Sequence, residues 1–210
     1  MNKIYVFDMD GTLIDSMSSF GRGMLSILEE DNIPYGDDML NFITPLGYVN
    51  TAKYYQTLGV KGSVEDIVKR MQEKLVYEYT NNIKLKSGVS SYLKKLKSEG
   101  ACLSVFTASP HIVTDVCLKV NGVYDLFDNV WTVDDIGLPK SEVACFEELA
   151  RRLDCTVADI NFFDDNMIAI NTSHAAGCNT YAVYDSQTDE QIEEIKKTVG
   201  RFVRSFEELM

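Results

Sequence analysis

The run Ile4-Tyr5-Val6-Phe7-Asp8-Met9-Asp10-Gly11-Thr12 decides how the rest of this chain is read. A short unbroken apolar stretch, closed by two aspartates and a glycine, describes a strand covered on both faces and followed by a tight turn. Runs of the same kind recur at Cys102–Phe106, Val130–Val133, Ile160–Phe163, Thr180–Tyr184 and, more weakly, Phe202–Val203. Helical patterns separate the later ones. Val89, Tyr92, Leu93 and Leu96 follow the i, i+3, i+4, i+7 rule, with Gly100 as a stop. Val143, Phe146, Leu149, Ala150 and Leu153 make a second apolar stripe. Strand alternating with helix predicts an α/β fold: a Rossmann-like parallel sheet, right-handed crossovers, and helices on both faces.

The first strand breaks that rhythm. No comparable run appears between Phe7 and Ser87-Gly88. Phe20, Met24, Ile27 and Leu28 suit one amphipathic helix, and Asn50–Leu58 and Val64–Tyr79 suggest two more, punctuated by Pro34, Thr44-Pro45-Leu46-Gly47 and Gly59–Gly62. Residues 15–86 therefore read as a helical insert in a core formed by 1–14 and 87–210, with hinges at Leu13–Asp15 and Lys86–Gly88.

Composition bounds the partners. The 210 residues are 45% apolar and 25% charged, which is a globular mixture with ample material for a core. The net charge of −12, with no long basic run, argues against a nucleic-acid partner or an anionic membrane surface. No apolar stretch approaches the ~18–20 residues of a membrane helix, and Met1-Asn2-Lys3 leads straight into a strand-like run. Cys102, Cys117, Cys145, Cys155 and Cys178 are odd in number and lack a C-x-x-C pair, which suits reduced thiols in the cytoplasm.

Ligands of open parallel sheets bind beyond the carboxyl ends of the strands. Asp8 and Asp10 follow the first strand, Thr107-Ala108-Ser109 the second, Lys140 the third, and Asp164-Asp165-Asn166 the fourth. Four carboxylates gathered there repel one another unless a cation intervenes. Hard oxygen ligands without His or Cys select Mg2+. A lysine and small hydroxyls beside them supply what a phosphoryl group requires, and an aspartate can itself attack phosphorus. The pattern suggests Mg2+-dependent phosphoryl transfer.

With these residues in place, Phe7-Asp8-Met9-Asp10-Gly11-Thr12-Leu13-Ile14-Asp15-Ser16 resembles the first motif of the haloacid dehalogenase superfamily, in the phosphoglycolate phosphatase and β-phosphoglucomutase-like branch with an α-helical cap. The resemblance spans nearly the whole chain. It implies that Asp8 attacks phosphorus and holds Mg2+, and that Asp10 handles the protons with its backbone carbonyl on the metal. It further implies that Gly11, Thr107, Ala108 and Lys140 surround the phosphoryl group, and that residues 15–86 are the cap. The lysine motif departs from the family's K-x-D-P form at Glu142-Val143. The fourth motif departs further: Ala169 stands where a second aspartate belongs, and Asp164-Asp165 instead resembles a double-aspartate variant. Asp165 is expected on the metal, with either Asp164 through a water or Asn166 beside it.

The expected activity is hydrolysis of a small phosphomonoester metabolite through an aspartyl-phosphate, by a monomer or weak homodimer. The alternatives are a phosphomutase and an impaired scaffold that only binds. Bland readings stand beside several residues. Ser109 suits a helix cap ahead of Pro110, Ser16 an N-cap, His111 a structural role, and Asp134-Asp135 a turn or an outer ring of the site. Tyr48, Lys53, Tyr54 and Tyr55 are specificity candidates, although an aromatic stripe at helical spacing more often packs a core.

Overall fold

The computed structural model describes residues 3–186 and 192–210, so Met1 and Asn2 of the opening tripeptide lie outside the described residues. Two compact units emerge: one runs through Asp15 and resumes at Lys84, and the other is Ser16–Ile83. Lys84, Leu85 and Lys86 thus belong to the first unit, where Lys86 N–H donates to Leu13 O at 2.9 Å and Asp15 N–H to Lys84 O at 3.1 Å.

In the first unit, strands β1 (Ile4–Phe7), β2 (Cys102–Thr107), β3 (Asn129–Thr132), β4 (Ile160–Asp164), β5 (Asn179–Val183) and β6 (Phe202–Val203) form one sheet in the order β3-β2-β1-β4-β5-β6. Every neighbouring pair is parallel. The alternation of side chains along β1 explains why its run is apolar throughout. Ile4 and Val6 face one way, into a core with Phe106, Phe146, Leu149 and Phe162. Tyr5 and Phe7 face the other way, where Phe7 lies 4.8 Å from the Phe163 ring and Phe163 stacks on Tyr181 at 4.3 Å. Tyr92 and Phe206 close that second layer, 5.7 Å apart.

The third strand ends one residue earlier than its apolar run implies. Thr132 caps a single helical turn through a reciprocal bond with Asp135, which pulls Val133 out of the ladder. Asp134 and Asp135 both sit in that first helical turn, in keeping with the turn reading.

The second unit contains α1 (Met17–Glu30), α2 (Met39–Ile43), α3 (Gly47–Leu58) and α4 (Val64–Asn81). Helix α4 packs on α1 and α3, burying Met24, Ile27, Leu28, Tyr55, Ile67, Met71 and Leu75. Ser63 and Asp66 make a capping box at the start of α4. Tyr55 is core, fully buried with its hydroxyl donating to Met24 O at 3.1 Å. Tyr54 packs against Phe42, whereas Lys53 is exposed. Ser16 does not cap α1: its backbone is already helical and its buried hydroxyl has no partner.

Returning to the first unit, the remaining helices are α5 (Val89–Ser98), α6 (His111–Val120), α7 (Val133–Ile136), α8 (Val143–Arg152), α9 (Met167–Ala176) and α10 (Ile192–Thr198). Among the described residues, no helix is long and apolar enough to cross a membrane. All five cysteines are free thiols.

Candidate active site

The strand order reverses direction at β1: successive crossovers run outward to β2 and β3, then return past β1 to β4. Such a switch point opens a crevice at the carboxyl ends of the strands. Register determines what lines it. Phe7 pairs with Phe163, so the residues that follow, Asp8 just beyond β1 and Asp164 at the last position of β4, stand side by side. Asp8 N–H donates to Phe163 O at 2.8 Å, extending the ladder one residue beyond β1.

Asp8, Asp164 and Asp165 each offer a carboxylate oxygen within 4.8 Å of the other two, and all three are buried. Lys140 reaches between two of them, with Nζ donating to Asp8 Oδ1 and, at 2.9 Å, to Asp164 Oδ2. Asp165 instead accepts a neutral hydroxyl, Thr12 Oγ1, at 3.1 Å. Burial, then the charges of Asp164 and Asp10, push the Asp8 carboxyl up to about 8, against the pull of Lys140. Burial also pushes Asp165 well up, reinforced by Asp164, Asp8 and Asp185. Burial alone would lower the Lys140 ammonium, but Asp164 and Asp8 overcome it and hold the lysine charged.

This donor set fits a small hard cation. It consists of carboxylate oxygens without sulfur or imidazole, on strand ends that fix their directions, and its buried negative charge exceeds what Lys140 offsets. Asp8, Asp164 and Asp165 could hold such an ion. Asp10 is not in that carboxylate group; its Oδ2 accepts from Ser109 Oγ at 2.6 Å.

Gly11 has φ +73°, and a Cβ there would lie 2.6 Å from Asp165 Cγ. Only glycine lets the loop after β1 lie against that carboxylate. Thr107 is buried at the end of β2, and its Oγ1 accepts from Ser109 N–H at 3.0 Å. A hydroxyl that accepts there keeps its own hydrogen for another acceptor. Ala108 is exposed at the tip of that loop.

The Ser109 cap is corrected, and the choice between Asp164 and Asn166 is narrowed. Pro110 stands at the N-cap of α6, and the Ser109 hydroxyl goes to Asp10 instead. Asn166 caps α9, its Oδ1 accepting from Ile168 N–H at 2.9 Å and Ala169 N–H at 3.4 Å, so its side-chain oxygen is engaged with the helix. Ala169 itself is buried in that first turn. His111 bridges Asp115 and Asp135 at 2.9 and 2.8 Å, tying α6 to the α7 turn.

Lys86 is not legible in the sequence as a site residue. Its Nζ donates to Gly11 O, to Tyr184 O at 2.7 Å and to Asp185 Oδ2 at 2.8 Å. It fastens the loop after β1 to the loop after β5. Lys84 and Lys86 flank a single leucine, and nothing local distinguishes the lysine that turns inward.

Comparison with known proteins agrees with this architecture. The family model for haloacid dehalogenase-like hydrolases matches residues 5–183. The chain is similar to the phosphoglycolate phosphatase of Haemophilus influenzae, 26% identical over 185 residues that cover 84% of this chain and 83% of the relative. It is also similar to the phosphorylated carbohydrates phosphatase of Thermotoga maritima, 23% identical over 186 residues that cover 88% and 86%. Among solved structures, CbbY from Rhodobacter sphaeroides, crystallised with phosphate, superposes with a TM-score of 0.81 at 19% identity, over 100% of this chain and 96% of that one.

Proposed function

This chain belongs to the haloacid dehalogenase-like hydrolase family and is a phosphoric monoester hydrolase; from that premise we propose that it is a Mg2+-dependent phosphatase of a small phosphorylated metabolite. The names of the relatives, phosphoglycolate phosphatase and phosphorylated carbohydrates phosphatase, support a compact organic phosphate as the substrate, and the reduced thiols suit a cytoplasmic setting. The observation that carries the reading is the convergence of Asp8, Asp164 and Asp165 at the switch point of the sheet, with the Lys140 ammonium beside the first two.

Asp8 is the nucleophile: a carboxylate oxygen bonds to phosphorus as the ester oxygen leaves on the opposite side. Lys140, charged and already beside Asp8, neutralises the equatorial phosphoryl oxygens together with the Thr107 hydroxyl and the loop at Gly11 and Ala108. Asp10 protonates the departing alkoxide, then takes a proton from the water that hydrolyses the aspartyl-phosphate. Asp8, Asp164 and Asp165, with the Asp10 carbonyl, would hold Mg2+, which would supply charge neutralisation among these buried carboxylates and for the phosphoryl group. The helical insert, read from the sequence as residues 15–86 and compact over Ser16–Ile83, takes the role of the family's cap.

Release of phosphate from an aryl phosphate tests this. Activity should require Mg2+, cease with EDTA and vanish in Asp8→Asn, and a phosphorylated wild-type protein should be trapped by acid quench. Equal inertness of wild type and Asp8→Asn across a metabolite-phosphate panel would remove the proposal.

A further inference from the structure

We propose that Ser109 is a positioning residue, holding the Asp10 carboxyl in the pose from which it protonates the leaving group; the inference rests on the phosphatase reading above. The bond from Ser109 Oγ to Asp10 Oδ2 is 2.6 Å and joins two loops 99 residues apart in sequence. That length is typical of a hydroxyl donating to a charged or strongly polarised carboxyl oxygen.

Ser109 is itself held at both ends of its backbone. Its N–H donates to Thr107 Oγ1 at 3.0 Å, and its carbonyl accepts from Thr114 Oγ1 at 3.1 Å. Both threonines are buried, one at the end of β2 and one on α6. Pro110, at φ −70°, then launches α6 and removes the next backbone freedom. The serine hydroxyl is therefore presented from two rigid elements, with little more than its own side-chain rotation left to fix.

The consequence is chemical. An oxygen that accepts from Ser109 is Oδ2, so in the neutral acid the transferable proton sits on Oδ1. As the bond from Asp8 to phosphorus forms and the ester P–O bond breaks, the Oδ1 proton moves to the departing oxygen and an alcohol leaves. Asp10 is then an anion that accepts the proton of the hydrolytic water at the same oxygen, and no other reactant is needed. The chain Thr107–Ser109–Asp10 also links the hydroxyl assigned to the phosphoryl group with the residue assigned to the leaving group, so both are referenced to one strand end.

A general acid matters for a basic leaving group and little for an acidic one, which isolates this role. The test compares 4-nitrophenyl phosphate with phenyl phosphate in wild type, Ser109→Ala and Ser109→Thr, all with saturating Mg2+. General acid catalysis contributes ~10²–10⁴-fold in full, and a misplaced group loses part of it. Ser109→Ala should lower kcat for phenyl phosphate ~10-fold or more while changing 4-nitrophenyl phosphate less than ~2-fold, with KM unmoved, and Ser109→Thr should restore most of the loss. The ratio of the two rates within one preparation does not depend on how much of that preparation is folded. Equal losses on both substrates, no loss on either, or a loss on phenyl phosphate that Ser109→Thr fails to restore would overturn the role of Ser109 while leaving the phosphatase reading standing. A wild type inert toward both would instead remove that reading, and this inference with it.

Discussion

Adding one methyl group at Gly11 should separate the strain of its backbone from its contact with the carboxylate cluster. In Gly11→Ala the left-handed φ of +73° costs ~1–2 kcal/mol for an L side chain. The new carbon would stand 2.6 Å from Asp165 Cγ and 2.9 Å from Asp165 Oδ1, where carbon atoms ordinarily settle near ~3.5–4.0 Å. The carboxylate must therefore retreat by about 1 Å, which also breaks its hydrogen bond from Thr12. A hydrogen bond to a charged group is worth ~1.5–3 kcal/mol. The total falls at ~2.5–5 kcal/mol.

Gly100→Ala supplies the control. Gly100 has φ +80°, and the space a Cβ would enter there is open, so its substitution carries the backbone cost alone. Metal ligands must stand within about 0.2 Å of their places, and disturbing a ligand's support typically costs ~10–100-fold in affinity. Half-maximal activation of aryl phosphate hydrolysis should thus need at least ~10-fold more Mg2+ in Gly11→Ala and stay unchanged in Gly100→Ala. Thermal unfolding should drop by ~2–4 °C per kcal/mol for a chain of this size, further in the first variant than in the second. If Gly11→Ala unfolds no earlier than Gly100→Ala and keeps the wild-type Mg2+ midpoint, the proposed packing of the nucleophile loop on Asp165 is wrong.

Other perturbations follow from the same charges. The metal-free protein should lose stability as pH rises from about 5 to 8: Asp8 is held up to about 8 and Asp165 is raised, so the native state binds more protons than the unfolded chain, and stability falls through that window. Melts in EDTA across this range would show it, and a rise with pH would contradict it; Mg2+ should stabilise more at pH 8 than at pH 5. Lys140→Met leaves Asp8 and Asp164 without their ammonium, a loss of ~3–5 kcal/mol in a buried pair and of ~10²–10³ in kcat; Mg2+ should raise its melting temperature more than that of wild type, and an equal rise would count against the assignment. Asn166→Ala should cost ~1 kcal/mol through the lost helix cap yet leave the Mg2+ midpoint within about twofold, because the Asn166 side-chain oxygen faces α9; a large shift in midpoint would make Asn166 a ligand after all.

What can be read from the sequence is what depends on local order. The strand ends are legible because a buried parallel strand must be apolar until the residue where it leaves the sheet, which makes Asp8 and Asp164 conspicuous as the next residues after Phe7 and Phe163. The pairing of those two phenylalanines then puts the aspartates side by side. Helix α2 escapes because five residues, Met39–Ile43, are too few to display a period. Lys86 and Asp185 escape for a different reason: their bond spans 99 residues and is created only when the segment before α5 meets the loop after β5. Ser109 misleads because a serine before a proline and a helix has two uses, and only the third dimension shows Asp10 within reach. Asn166 is the reverse case, since an asparagine just ahead of a helix is a cap by local rules alone.

The absence of an aspartate at position 169 becomes intelligible once the helix is seen. Ala169 lies in the buried first turn of α9, where Asn166 accepts its N–H, so a carboxylate there would need a partner at depth. The acidic oxygens come instead from Asp164 and Asp165, directly at the end of β4 and beyond it. That shift changes the charge balance. Lys140 serves Asp8 and Asp164 directly, Lys86 pairs with Asp185, and Asp165 accepts the neutral Thr12 hydroxyl and feels the Lys86 charge without an ion pair to it. The least compensated carboxylate is therefore the one packed against Gly11. Since the net value of a cation is greatest where buried charge is least offset, Asp165 is the residue whose replacement by asparagine should most weaken Mg2+ binding while most stabilising the metal-free fold.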